Sequence, residues 1–203
     1  MPRSGEATRQ NILDAAQNLV LRHGLAGASI DRIISAADIT KGAFFHHFPN
    51  KAALAEAVIA RFIKAEAELF ASICGQAERL SDDSVQRLLN IIGLYADALD
   101  DHPEVVNGCL YASVAMQRSE FPDNAISIAT GSIDDATRML RPYYEAAIAA
   151  SPPRKDVDVD DLVDMFVTVG EGAMIMAGLR QDPSVPGKQF RVLKTQMEAI
   201  FGR

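Results

Sequence analysis

The sequence predicts an all-α fold, three short N-terminal helices followed by six more, and three observations carry that prediction. Apolar residues recur at spacings of three and four almost throughout the chain. Period-2 alternation between turn residues, the mark of half-buried strands, is absent. Cap-forming and helix-breaking residues fall where each apolar stripe begins and ends. With 203 residues, 48% apolar and 23% charged, the chain has an ordinary globular composition and can bury a real core.

The first helix is expected from about Thr8, a possible N-cap, through Ile12, Leu13, Ala16, Leu19 and Val20 on one face, stopping at Gly24. Ser29 caps a short second helix carrying Ile30, Ile33, Ile34 and Ala37. Thr40 caps a third, which Pro49 must end because proline restricts the residue before it. Asn50 opens a long fourth helix with an inner stripe of Leu54, Val58, Phe62, Ala65, Leu69 and Ile73. After a polar break at 81–84, Val85, Leu88, Leu89, Ile92, Tyr95 and Leu99 trace a fifth. Pro103, at a first-turn position, opens a sixth that runs to about Gln117. The seventh starts near Asn124 with Ile126, Ala129, Ile133, Leu140 and Tyr144 inward, and Pro142 should kink or split it. A loop at 151–155 leads to an eighth helix, roughly Asp156 to Leu179, and the turn RQDPSVP to a ninth, roughly Pro186 to Phe201. Two domains are expected, residues 1–51 and 52–203, with the fourth helix leading from one into the other.

The formal net charge of −7 argues against nucleic acid until its distribution is read. Residues 1–51 carry six Lys or Arg against four acids, and the remaining residues carry 14 against 23. A locally positive end on an acidic body fits a small phosphate-contacting module attached to a domain with another task. No apolar run approaches the roughly 18 to 20 residues of a membrane span, and the first ten residues lack the apolar region of a secretory signal, so a cytoplasmic protein with no membrane partner is expected. Cys74 and Cys109 stand apart without paired-ligand spacing and read as free thiols.

Two short helices joined by a tight turn, SIDRIISAADITKGAFFHHF, have the layout in which one helix braces the other across a groove of DNA. In the second, Thr40 can cap the helix or bond a phosphate, Lys41 is a phosphate or guanine ligand, and Gly42 has no side chain to hold the backbone away from DNA. Phe44 and Phe48, four apart, face the core. Phe45, His46 and His47 fall on or beside the exposed side, and Lys51 adds a cation at the next helix start. Cationic and polar groups so grouped have no place in a small core.

TKGAFFHHFPNK closely resembles the recognition helix and following turn of the TetR family of one-component bacterial regulators, and the resemblance extends over about residues 8 to 60. It implies a homodimer that binds a palindromic double-stranded DNA operator and, as a repressor, is released when a small molecule enters the helical C-terminal domain. On the same resemblance Ser29 contacts phosphate, Thr40, Lys41, Gly42, Ala43, Phe45 and His46 face the groove, and His47 and Lys51 clamp the backbone. The chain departs from the family pattern twice. Asp38 stands where the turn usually has Gly, and Phe45 where Tyr is usual, which removes one hydroxyl bond to phosphate.

For the larger domain, Phe62, Ile91, Tyr95, Cys109, Met116, Met165, Phe166 and Val169 are candidate effector contacts, and they suit a largely apolar small molecule. Gly170, Gly172, Ala173, Ala177 and Gly178 permit close helix approach, and Phe190, Leu193, Met197, Ile200 and Phe201 make an apolar stripe, together half of a four-helix dimer interface. DVDVDD at 156–161 imitates the start of a calcium loop but has Asp161 at its sixth position and Val167 at its twelfth, so a helix N-terminus explains the acids better. No nucleophile elbow, Walker loop, dinucleotide fingerprint or zinc-protease pair is present, and pairing His102 with Cys109 lacks support, so neither an enzyme, a metal nor a cofactor is expected. Two other classes stay open: a helical small-molecule binder whose DNA contacts have decayed, which the intact Thr40-Lys41-Gly42 cluster opposes, and an enzyme in the C-terminal pocket, which lacks an acid–base set.

Overall fold

The computed structural model describes residues 5–101, 106–153 and 156–203. Among these the chain is helical without strands: α1 Gly5–Gly27, α2 Ile30–Ala37, α3 Lys41–His47, α4 Lys51–Leu80, α5 Ser84–Asp100, α6 Leu110–Met116, α7 Asp123–Ala150, α8 Val159–Arg180 and α9 Val185–Phe201. A 3-10 turn, Arg118–Glu120, follows α6. All-α architecture therefore stands as the periodicity predicted.

Several ends sit where cap chemistry puts them. Ser29 Oγ accepts the Arg32 N–H at 3.3 Å, Thr40 Oγ1 that of Ala43 at 3.2 Å, and Asn50 Oδ1 that of Ala53 at 2.8 Å. Asp83 caps α5 by accepting the Gln86 N–H at 2.8 Å, and that bond, with Arg203 at 2.7 Å, holds its carboxyl below the usual carboxylate range.

Other boundaries moved. Thr8 lies inside α1, which already includes Gly5, because a polar first turn leaves its amides to solvent without needing that cap. Helix α6 begins at Leu110 rather than near Pro103, since Gly108 has a positive φ of 105° that interrupts helical geometry; Pro103 and His102 lie outside the described residues. Pro142 does not split α7, which runs unbroken through it. Its ring faces solvent, while Leu140 and Tyr144 on either side are buried and pin both halves to one core. Ala65 is exposed, so the inner stripe of α4 is interrupted there. Helix α8 contains an 18-residue window of mean hydropathy 1.5, long and apolar enough by composition to cross a membrane, contrary to the reading that no run approached this. Only 28% of that window is buried, and Asp160, Asp161 and Asp164 occupy the helix's first turns.

The chain divides into two compact units. The first comprises residues up to Lys64 with Asn107–Thr130, the second Ala65–Val106 with Gly131–Arg203. Packing thus joins α6 and the start of α7 to the N-terminal helices, whereas the sequence suggested an N-terminal domain closing at residue 51. The first unit's core includes Ile12, Leu13, Ile33, Phe44, Phe48 and Val58, joined by Leu110, Val114, Phe121 and Ile126. In the second, Phe70, Tyr95, Phe166 and Phe190 from four helices meet with ring centroids 4.8 to 6.2 Å apart.

Candidate nucleic-acid interface

Helix α2 ends in a turn that aims α3. The N–H of Ile39 returns to Ile34 O at 3.2 Å and that of Asp38 to Ser35 O at 3.3 Å, the paired bonds of a Schellman close. Asp38 occupies the left-handed region, φ 51° and ψ 56°, a conformation Asp tolerates better than most side chains. Asp38 thus takes the left-handed position in place of glycine. Asn11 Nδ2 donates to Ala37 O and ties this turn to α1.

Helix α3 is two-faced. Phe44 and Phe48 are buried, their rings 6.2 Å apart, and Arg9 lies over the Phe48 ring at 5.3 Å. Lys41, Gly42, Phe45 and His46 are exposed, and Ala43 and His47 are half-buried. Phe45 is 42% exposed, its ring nearly perpendicular to that of Phe44, so part of its surface remains available for apolar contact with a base methyl. The His46 and His47 rings are 5.1 Å apart. Thr40 and Ser29 use their oxygens as helix caps, which leaves each hydroxyl proton able to donate to a phosphate oxygen. A Cβ built at Gly42 would meet nothing nearer than Thr40 Oγ1 at 4.0 Å. The fold itself therefore does not require glycine there.

Lys51 is half-buried, and its Nζ donates to Ala26 O at 3.3 Å. Arg32, which the sequence reading passed over, donates to Gly27 O at 2.7 Å. Both cations thus hold the corner before α2. An ammonium retains two further donors when one is used.

The eight effector candidates are divided between the two units. Phe62, Cys109 and Met116 belong to the first unit, and Ile91, Tyr95, Met165, Phe166 and Val169 to the second. Met116 is 78% exposed at the end of α6 and faces away from any core, a correction to its inward reading: the helix is too short to carry the stripe that far. Phe62 packs edge-on against Tyr111 at 5.2 Å. Two surface clefts in the second unit, one lined by Glu145, Ile148 and Val157, the other by Thr137, Arg138 and Val163, include none of the eight. Tyr144, which the apolar spacing of the seventh helix places inward, is fully buried, and among the described residues its hydroxyl has no hydrogen-bond partner. Burial pushes its phenol up from the ordinary range.

The dimer candidates Ala173, Ala177, Phe190, Leu193 and Met197 are buried within the chain's own packing, Gly170 lies against the Phe190 ring, and Ile200 is half-buried on the same core. Intrachain packing accounts for that stripe. The apolar side chains that α8 and α9 leave uncovered are different ones, Ile175, Met176, Leu179 and Val192, with exposed Gly172 in line. The acids at 156–161 serve helix α8: Asp158 Oδ1 accepts the Asp160 N–H at 2.8 Å, and Asp160 pairs with Arg141. Among the described residues no cluster of His, Cys, Asp or Glu is placed to hold a metal.

Comparison with known proteins adds a sequence-level result to this geometry. Residues 12–58 match the family model described as bacterial regulatory proteins, tetR family, and residues 84–193 match the tetracyclin repressor-like C-terminal domain. Among curated relatives, the HTH-type transcriptional repressor DhaR of Mycobacterium sp. (strain GP1) is 25% identical over 82% of this chain and 80% of its own. The transcriptional regulator AcuR of Cereibacter sphaeroides is 28% identical over 86% and 78%. The crystal structure of regulatory protein TetR from Rhodobacter sphaeroides superposes with a TM-score of 0.75 at 23% identity, covering 92% of this chain and 96% of that one, a likeness of fold.

Proposed function

This chain belongs to the TetR family of DNA-binding transcriptional regulators and is not an enzyme, and from that premise we propose that it is a repressor acting as a homodimer on a palindromic operator. The observation that carries the proposal is the two-faced α3: two phenylalanines anchor it in the core, while Lys41, Gly42, Phe45 and His46 are presented outward. Thr40, Lys41, Gly42, Ala43, Phe45 and His46 read the major groove, and Ser29, His47 and Lys51 bind the flanking phosphates. The reading module is residues 1–51 in function, braced by a larger packing unit, and 52–203 serve effector binding and dimer formation.

Two-fold reading of a palindrome needs two copies whose α3 helices are ~34 to 36 Å apart, one turn of DNA. The uncovered stripe of Gly172, Ile175, Met176, Leu179 and Val192 is the surface we assign to the second copy, in place of the inward-facing Phe190, Leu193 and Met197. An apolar helix left largely uncovered in water favours association. It also supports a cytoplasmic regulator over a membrane protein, since the acids of α8 and its buried inner face suit a protein partner.

The effector is a largely apolar small molecule bound in the second unit by the Tyr95, Met165, Phe166 and Val169 side, with the Tyr144 hydroxyl as its hydrogen-bonding point. A buried hydroxyl without a partner lacks a bond worth about 1 to 3 kcal/mol, which a ligand acceptor would restore. Helix α4 runs unbroken from the reading module into the effector unit and is the element whose movement would release DNA.

The test is a Lys41→Ala, His47→Ala double variant of the full chain, assayed on a duplex that the natural chain selects from a random-sequence pool. Operator affinity should fall at least about tenfold, and the dependence of log affinity on log salt should flatten by about 1. Unchanged affinity with an unchanged salt slope would overturn the assignment of α3.

A further inference from the structure

Helix α1 has a break near its C-terminus that the rest of the first unit is built around. Gly24 adopts φ 70° and ψ 170°, a region that glycine alone occupies readily, and helical turns resume through Gly27. The N–H of Leu25, turned by that break and buried, donates to Gln117 Oε1 at 3.2 Å. The amide of Gln117 lies so close that a Cβ at position 24 would come within 2.2 Å of the same oxygen. Absence of a side chain at 24 and presence of an amide at 117 are therefore complementary, although 92 residues of chain separate Gln117 from its partner Leu25.

Gln117 is itself firmly mounted. Its N–H donates to Ser113 O at 3.0 Å, closing α6, and its carbonyl accepts the Glu120 N–H at 2.8 Å, opening the 3-10 turn. Leu110, Val114 and Phe121 on either side are buried in the same core as Ile12, Phe44 and Phe48. The corner that Gln117 grips runs from Gly24 to Ala28 and delivers the chain to Ser29, the cap of α2. Lys51 holds the same corner at Ala26 O and Arg32 at Gly27 O. Of these three side chains only Gln117 comes from outside residues 5–64, the continuous N-terminal part of the unit.

We propose that Gln117 is a positioning residue for DNA reading: its carboxamide oxygen fixes the Gly24–Leu25 corner, and through it the start of α2 and the setting of α3. It touches no DNA. Among the described residues three side chains grip the corner, and the grip at its origin depends on the end of α6. This extends the reading module beyond the contiguous helix-turn-helix to a residue far along the chain, and the proposal rests on the assignment of α3 as the DNA-reading helix.

The experiment compares the natural full chain with Gln117→Leu, which keeps the bulk and removes the acceptor, and with Gln117→Glu, which keeps an acceptor oxygen. Amide exchange at Leu25 and affinity for the duplex selected by the natural chain are read on each, with the melting midpoint as the control for folding. In Gln117→Leu, Leu25 exchange should accelerate and affinity fall about fivefold, the size of one lost hydrogen bond, with the midpoint lowered by no more than about 4 °C. Gln117→Glu should retain Leu25 protection and lie within about twofold of the natural affinity. Natural Leu25 exchange in the Leu variant overturns the clasp, and accelerated exchange with natural affinity overturns the positioning role. Equal losses in the Leu and Glu variants overturn the acceptor's part in it. A natural chain that selects no duplex defeats the DNA-reading assignment and with it the positioning role, while Leu25 exchange still reports whether the clasp exists.

Discussion

Helices α3 and α8 each have one covered and one uncovered face, and the uncovered faces are opposite in chemistry. Around α3 the chain leaves cations, imidazoles and a side-chain-free backbone facing out; along α8, and on neighbouring α9, it leaves Ile175, Met176, Leu179 and Val192. The first face suits a polyanion, whose counterions it would release, and the second suits a surface that excludes water. The difference teaches that exposure alone does not mark a site. What marks it is exposure combined with chemistry that the chain's own core does not use.

Substitutions on the inward stripe of α9 should have the largest effect. Phe190→Ala should cost about 3 to 5 kcal/mol of stability by opening a cavity among Tyr95, Phe166 and Gly170, read as a lower urea midpoint. The variant chains that remain folded should still pair. Conversely, Ile175→Asp with Leu179→Asp should leave monomer stability nearly unchanged while burying charges at any copy-to-copy contact, lowering association and operator affinity by about a hundredfold or more. Sedimentation would show this as the mass of one chain; a species that stays at two chains would return the interface to other residues. The smallest effect is on α3. Gly42→Ala should raise stability by about 0.5 kcal/mol, because helix propensity improves and the added methyl meets nothing closer than Thr40 Oγ1 at 4.0 Å, yet weaken DNA binding by about tenfold. Improved stability with natural DNA affinity would mean that the backbone at Gly42 does not approach a duplex closely.

Much of the reading module was legible because its signals are local. Ser29, Thr40 and Asn50 cap helices within three residues of themselves, and the four-residue spacing of Phe44 and Phe48 states which side of α3 is core. In α8 and α9 the spacing was equally clear and the meaning was not. Phe190, Leu193 and Met197 repeat as an interface stripe would, but an apolar stripe seats against its own chain or a second copy with the same periodicity. Nothing local marked the clasp of Gln117, and the spacing that placed Tyr144 inward said nothing of its hydroxyl. One acts through a partner far away in the chain, and the other is notable for a bond it does not make.

Helical class, the caps at Ser29, Thr40 and Asn50, the tight turn before α3 and the segregation of charge were determined by the sequence alone, since each depends on residues within about one helical turn or on composition. Tertiary structure decided which apolar stripe is inner and which outer, joined α6 to the N-terminal core, and closed the Gly24 corner with Gln117. The physical reason is that burial is a property of pairs of surfaces. A helix specifies its own face, but only the chain folded around it specifies what covers that face.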